Sequence, residues 1–386
     1  MKRWIWEQED YPLFTYDLNT LEHLIQEISL AQGYLIAIIQ TMDQNNIAQR
    51  QLEALMSEAI STSAIEGEIL NRDSVKASIQ RKLGFAEIDS SKRDISTDYL
   101  IEILIDANTN YDQDLTLERL FGWHNALFPH GYSGLNKINV ATFRGEEDME
   151  VVGGAAGKEK TFYVAPPREM LKEEMGRYLR WFNETPASLL KACIAHLWFV
   201  IIHPFDDGNG RIGRAITDLV LSKIEKSTVS RLYSMSSAIN NDRKGYYRAL
   251  EQTTGYIRKD ANHLNITIWC TWFLSTLDIV LTDTKKKLGY IVQKTTFWNK
   301  YRDYDLNPRQ TKVLNKILDM GAENFQGSLS KKKYMTIADS ASTTASRDIT
   351  QLLKIGCIRQ IEGTNGRNVR YEIVVYKKNM GKAGGR

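Results

Sequence analysis

Residues 203 to 214 constrain this chain more than any other stretch: His-Pro-Phe-Asp-Asp-Gly-Asn-Gly-Arg-Ile-Gly-Arg. The run before it, Leu190 to Ile202, is apolar with few breaks and suits a buried helix. Pro204 disfavours helical geometry at His203, so that helix should stop there and leave the imidazole at a chain corner. Two acids, two glycines and an asparagine at 206–210 call for a tight turn. From Arg211 the apolar positions Ile212, Ala215, Ile216, Leu219 and Val220 resume a helical period. Helix, forced turn and helix is the expected local fold.

The residue types in that turn carry chemistry. Gly208, Asn209 and Gly210 present backbone N–H groups at a helix start, which makes an anion nest. Arg211 and Arg214 lie three apart, where both can reach one anion. Asp207 adds a hard oxygen ligand suited to Mg²⁺ on a polyphosphate. Histidine titrates near about 6.5, so a neutral, basic His203 is available around neutral pH. A Gly-Asn-Gly turn alone would be an ordinary connection. The whole set fits attack of a hydroxyl on a nucleotide phosphate, with His203 taking the proton.

The stretch resembles the signature of Fic-domain proteins, His-Pro-Phe-x-(Asp/Glu)-Gly-Asn-(Gly/Lys)-Arg-x-x-Arg, at every specified position. The resemblance implies a mainly α fold with a helical core and a β-hairpin flap. It implies transfer of AMP from ATP to a Ser, Thr or Tyr hydroxyl of a target protein. It makes His203 the general base and Asp207 the Mg²⁺ ligand. Gly208, Asn209 and Gly210 become the α/β-phosphate cradle, and Arg211 and Arg214 the clamps further along, with Ile212 and Gly213 in the same nucleotide set.

Upstream, Ser61 to Glu68 reads by composition as a small-residue helix segment ending at Gly67, with Glu66 a surface acid. Beside the signature it also matches the family's inhibitory motif, (Ser/Thr)-x-x-x-Glu-(Gly/Asn), through Thr62, Glu66 and Gly67. The resemblance then pairs Glu66 with Arg214. A carboxylate and a γ-phosphate cannot both occupy one guanidinium, so the pairing would inhibit.

Between Phe143 and Pro167 the pattern turns strand-like. Val151-Val152 and Thr161 to Val164 flank five small residues, Gly153, Gly154, Ala155, Ala156 and Gly157, as in a β-hairpin. The resemblance makes it the flap over the site, with Val152, Gly153, Gly154 and Ala155 lining the nucleotide. Adjacent tyrosines usually divide into one core and one rim residue; by resemblance, Tyr246 and Tyr247 contact the adenosine. Thr254 stands where the family often has asparagine, a departure at the base and ribose contacts. His124 and His130 read as packing or surface residues.

The full length of 386 residues suits two or three domains. We expect an N-terminal helical domain over 1–90, aromatic and extended at its start and helical from Leu18 to about Ile60. The core follows at 110–285, and Trp272 to about Lys300 is a linking helix. Residues 306–378 read as helices at Pro308–Met320, Tyr334–Asp339 and Thr343–Lys354, then strands at Ile358–Ile361 and Val369–Val374. That order is a winged helix-turn-helix. Its exposed face would hold Thr343, Thr344, Ser346, Arg347 and Gln351, with Arg367 and Arg370 on the wing.

The net charge of +3 hides an asymmetry. From Lys285 onward there are 21 Lys/Arg against 8 Asp/Glu, a balance of +13, while the rest has 29 against 39, a balance of −10. The basic end points to an anionic partner; such a domain binds DNA or pairs with another subunit, and the charge favours DNA. Three scattered cysteines, Cys193, Cys270 and Cys357, show no metal or redox spacing and suit a reducing compartment. No leader pattern and no apolar run near the ~20 residues of a membrane helix stands out, so a cytoplasmic location is expected, with no membrane partner. The leading reading is an autoinhibited protein adenylyltransferase using ATP and Mg²⁺. Its alternatives are a DNA-binding regulator with a nucleotide-sensing core, and a related phosphotransfer or AMP-removing enzyme. A homodimer is compatible with each.

Overall fold

The computed structural model describes residues 4–40, 42–84, 94–153, 160–226, 232–255, 264–321, 325 and 328–374. The fold is mainly helical, with three two-stranded antiparallel hairpins among the described residues. The chain divides into two units, Met1–Thr284 and Lys285–Arg386.

In the first unit, α1 (Leu18–Ile39), α2 (Gln44–Ile65), α3 (Arg72–Lys82), α4 (Ile95–Thr109) and α5 (Leu117–Leu127) come first. Each starts on a residue whose side chain caps the first turn: Asp17, Asp43, Asn71, Asp94 and Thr116. The helical region expected from Leu18 to about Ile60 consists of two helices. Asp43 makes the break, accepting from the Asn46 N–H in extended geometry. The opening aromatics form a short 3-10 turn at Ile5–Glu7 rather than an extended run. They anchor the chain: Trp6 Nε1 donates to the Val164 carbonyl at 2.8 Å, and Tyr11 and Phe14 meet Trp198 edge-on.

Next come β1 (Tyr132–Ser133), β2 (Asn136–Lys137), β3 (Glu150–Gly153) and β4 (Lys160–Val164). The strand-like region expected from Phe143 narrows to β3 and β4, paired antiparallel with an irregularity between Val151 and Val152. The helices α6 (Leu171–Glu184), α7 (Leu189–Ile202), α8 (Asn209–Glu225), α9 (Met235–Asn241) and α10 (Arg243–Thr254) complete the unit. The long helix α11 (Thr267–Tyr301) begins here and ends in the second unit. At the centre α7 packs along α8, and α4 lies on α8 from another side. Ile201, Ile202, Ile212, Ile216 and Leu219 are fully buried between them. Each such side chain contributes about 1.5–3 kcal/mol. Unusually for a core helix, α8 also buries Arg214, Thr217, Asp218 and Glu225. Buried polar groups on that scale need partners and point to a site.

The second unit holds α12 (Pro308–Met320), α13 (Lys331–Ala338), α14 (Ser342–Ile355), β5 (Ile358–Gln360) and β6 (Tyr371–Ile373). Phe297 and Tyr301 from the end of α11 belong to its core, with Val313, Leu314, Tyr334, Ile349 and Leu352. Buried Asp348 ties the helices, accepting from Arg309 Nε at 3.0 Å and the Tyr334 hydroxyl at 3.1 Å. Along α14, Thr343, Arg347 and Gln351 are exposed, whereas Thr344 and Ser346 are half-buried. Gln351 is also held, accepting from Gln310 and donating to the Asp305 carbonyl. A chain cut after Thr284 should therefore stay folded and monodisperse. A cut before Leu306 strips Phe297 and Tyr301 of their packing and should lower solubility. Size-exclusion chromatography of the two fragments checks this.

Candidate active site

The corner between α7 and α8 is built around His203. The α7 backbone ends there in the left-handed region (φ 51°, ψ 58°), as the following proline requires a non-helical residue. Arg144, buried, braces the corner: its backbone N–H donates to the Pro204 carbonyl and its Nε to the His203 carbonyl, both at 2.9 Å. The His203 ring places Nδ1 3.2 Å from the Val200 carbonyl. Nδ1 therefore carries the proton, and Nε2 keeps its lone pair. Burial holds the pKa of His203 below its ordinary value, which favours that neutral form.

The turn after it is held from three sides. Asn209 closes it internally, accepting from Phe205 N–H at 3.0 Å and donating to the Phe205 carbonyl at 2.8 Å. Asp206 accepts from the backbone N–H of Asn139 (2.7 Å) and Gly145 (3.0 Å). His124 stacks on Phe205, ring centroids 4.2 Å apart. Its Nδ1 accepts from Ala141 N–H and its Nε2–H donates to the Asp207 carbonyl, each at 3.2 Å. Burial lowers its pKa to about 4, so it is a neutral strut. His124 thus packs, as expected of it, yet it shapes the site.

Gly208 caps α8 with φ 82°, and a Cβ there would press on Phe128 at 2.9 Å. Gly210 opens toward the ligand side: a Cβ on it would collide with Glu66 Oε1. Hence a carboxylate stands against Gly210 in the first turn of α8, where backbone N–H groups gather. Glu66 caps the end of α2, and its Oε1 lies 2.7 Å from Arg214 Nη2. Thr62 adds to the same guanidinium, its Oγ1 accepting from Nε at 2.7 Å and its carbonyl from Nη2 at 2.9 Å. Arg214 is 2% exposed, and its Nη1 is buried with no hydrogen-bond partner. Burial opposes its charge, but Glu66, with Tyr246 and Glu58, holds its pKa above the ordinary value.

Beside this pair lies a cavity of about 570 Å³, lined by Glu66, His203 and Gly210 at one end and by β3, β4 and α10 elsewhere. Tyr246 is buried in its wall, with its hydroxyl 3.1 Å from His196 Nε2; Tyr247 stands half-exposed at the rim. Thr254 lines it too, donating to the Leu250 carbonyl at 2.9 Å. Val151, Phe162, Arg243 and Glu251 are also in the wall; none of these four stands out in the sequence as a site residue. Ile212 is fully buried and Gly213 faces Val200 and Phe199 on α7, so neither lines the cavity. Val152 and Gly153 lie on β3, while Gly154 and Ala155 fall outside the described residues.

Asp207 fits a hard cation. Its carboxylate is 38% exposed, and it accepts from the Ser133 hydroxyl and Gly208 N–H while keeping lone pairs free. Among the described residues no group of three or more His, Cys, Asp or Glu could hold a metal by itself. The cation would need ligand oxygens from a phosphate, as Mg²⁺ on a nucleotide does. No described helix is long and apolar enough to cross a membrane.

Two family models match. Residues 4–85 match a domain of unknown function, DUF4172, and residues 114–221 match the Fic/DOC family. The protein adenylyltransferase Fic of Drosophila melanogaster is 24% identical over 251 residues, covering 61% of this chain and 47% of the relative. That of Drosophila yakuba is 23% identical over 282 residues, 69% of this chain and 52% of the relative. The chain spans about half the length of the curated relatives it matches. A Fic family protein from Desulfovibrio desulfuricans shares the fold with a TM-score of 0.51 at 18% identity, over 95% of this chain and 97% of that one. A Fic domain containing signaling protein from Bacteroides thetaiotaomicron does so at 0.50 and 18%, over 68% and 97%. The Fic/DOC family model covers residues 114–221, the segment that holds His203, the turn after it and both of its arginines.

Proposed function

We propose that this protein transfers AMP from Mg²⁺-ATP to a hydroxyl of a target protein, and that Glu66 holds the form described here inactive. One observation carries the reading: a carboxylate bonded to Arg214 stands over Gly210, in an anion's place, beside a histidine with a free lone pair. In the transfer the target oxygen attacks the α-phosphorus, its proton passes to His203 Nε2, and the bond to the β-phosphate oxygen breaks to release pyrophosphate. Backbone N–H groups at the start of α8 and the arginines take up the phosphate charge. Asp207 would hold Mg²⁺, which would supply positive charge to offset that of the phosphates.

Incubation of the purified chain with each NTP and Mg²⁺, followed by intact-mass spectrometry, tests the reaction. An added AMP on the chain or on a target supports it; unchanged masses for the Glu66→Gly form with every NTP would sink it. The pH dependence follows from His203. Because its pKa lies below the ordinary 6.5, the base stays unprotonated as pH falls through that value. The transfer rate should be level from pH 8 to about 6.5 and drop only on the acid side. An acid limb centred at or above about pH 7 would contradict this assignment.

A further inference from the structure

Both signature arginines are engaged by carboxylates from one turn. Arg214 is held by Glu66, and Arg211 by Glu68, whose two oxygens lie 2.9 and 2.8 Å from Arg211 Nη1. We propose that Glu68 is a second inhibitory carboxylate, which occupies Arg211 in place of phosphate, so that residues 66–68 close both clamps together. The inference rests on the proposed nucleotide site and goes beyond it, since the motif at Thr62, Glu66 and Gly67 does not include Glu68.

The geometry of the turn explains how two carboxylates so close in sequence reach the same helix. α2 ends with the N–H groups of Glu66 and Glu68 both on the Ser63 carbonyl at 3.0 Å, and that of Gly67 on Ala64. Gly67 takes φ +87°, a conformation open to glycine, and nothing lies within 4 Å of where its Cβ would be. The chain thus doubles back after Glu66 and brings Glu68 over the first turn of α8, where Arg211 and Arg214 are three residues apart.

The contact differs from an ordinary surface pair in its asymmetry. Arg211 is 6% exposed in its side chain, its Nε is buried with no partner, and its guanidinium lies over the Phe128 ring at 5.0 Å. Glu68 is 46% exposed. The arginine is fixed and short of acceptors; the carboxylate can leave into water. Without Glu68 the nearest anion to Arg211 is Asp207 at 3.7 Å. An incoming polyphosphate would meet two carboxylates on its two clamps, each opposing it by occupancy and by charge.

The half-exposed carboxylate limits the size of the effect. Glu68→Gln should tighten binding of Mg²⁺-ADP and Mg²⁺-ATP by roughly three- to tenfold. Isothermal titration on the full chain reads this without any transfer step. In an Arg211→Ala background the same substitution should change affinity little, because the pair is already broken. Glu68→Ala serves as the second variant, and thermal midpoints within error of the parent show that the fold is intact. Unchanged or weaker nucleotide binding in both Glu68 variants overturns the proposal. So does an equal gain in the Arg211→Ala background, which would assign the effect to general repulsion. Tighter binding in Glu68→Gln with no AMP transfer from any variant leaves the pair standing and removes the transfer reading. Absence of nucleotide binding in every variant overturns both.

Discussion

His203→Ala should reduce AMP transfer by about 10²- to 10⁴-fold, the usual contribution of a positioned general base. Binding of Mg²⁺-ATP should stay nearly intact. The separation follows from the geometry. The groups proposed for phosphate are backbone N–H at the start of α8 and the two arginines, and none hangs on the His203 ring. The corner itself is held through the His203 backbone, whose carbonyl accepts from Arg144 and whose N–H donates to Phe199 at 3.0 Å. Those bonds survive truncation of the side chain. Alanine at φ 51° costs on the order of 1–2 kcal/mol, so His203→Asn is the better-tolerated companion variant. Single-turnover transfer and equilibrium ATP binding should be measured on both. Wild-type labelling in either would remove His203 from the reaction.

Glu66→Gly should raise transfer by about tenfold or more, if the pair with Arg214 opposes productive binding by at least ~1.4 kcal/mol. Charge-assisted hydrogen bonds are worth ~1.5–3 kcal/mol when shielded, and Arg214 is almost wholly buried here. The carboxylate also fills the space over Gly210, so an ATP that binds against it has its reacting phosphate displaced. A small misplacement of that kind can cost about 10²-fold in rate. The substitution leaves Thr62 on the guanidinium, so Arg214 keeps its place and gains a free Nη edge. Adding Arg214→Ala should cancel the gain, because the clamp itself is then gone. A Glu66→Gly enzyme that is folded, saturated with Mg²⁺-ATP and no faster would count against inhibition. It would favour a catalytic task for Glu66, such as directing water in AMP removal.

Much of the site can be read from the chain because it is local. His203 and Pro204 had to break α7, and the small residues after them had to turn before the apolar period of α8 resumed. The hairpin of β3 and β4 was likewise visible as two short β-branched runs around glycines. Thr62 and Glu66 stand out only through the resemblance to the family's inhibitory motif, since composition alone reads Glu66 as a surface acid; both meet Arg214. Other features were settled only by tertiary packing. Asp43 divides the helical region that begins at Leu18, since a cap is recognised by the turn it satisfies rather than by the period it interrupts. Arg144, His124 and Glu68 lie 59, 83 and 143 residues from the groups they hold, and no pattern of spacing links them. A hydrophobic period says which face of a helix is buried. It does not say which buried donor will meet which acceptor, because that depends on helices from distant parts of the chain packing around α8.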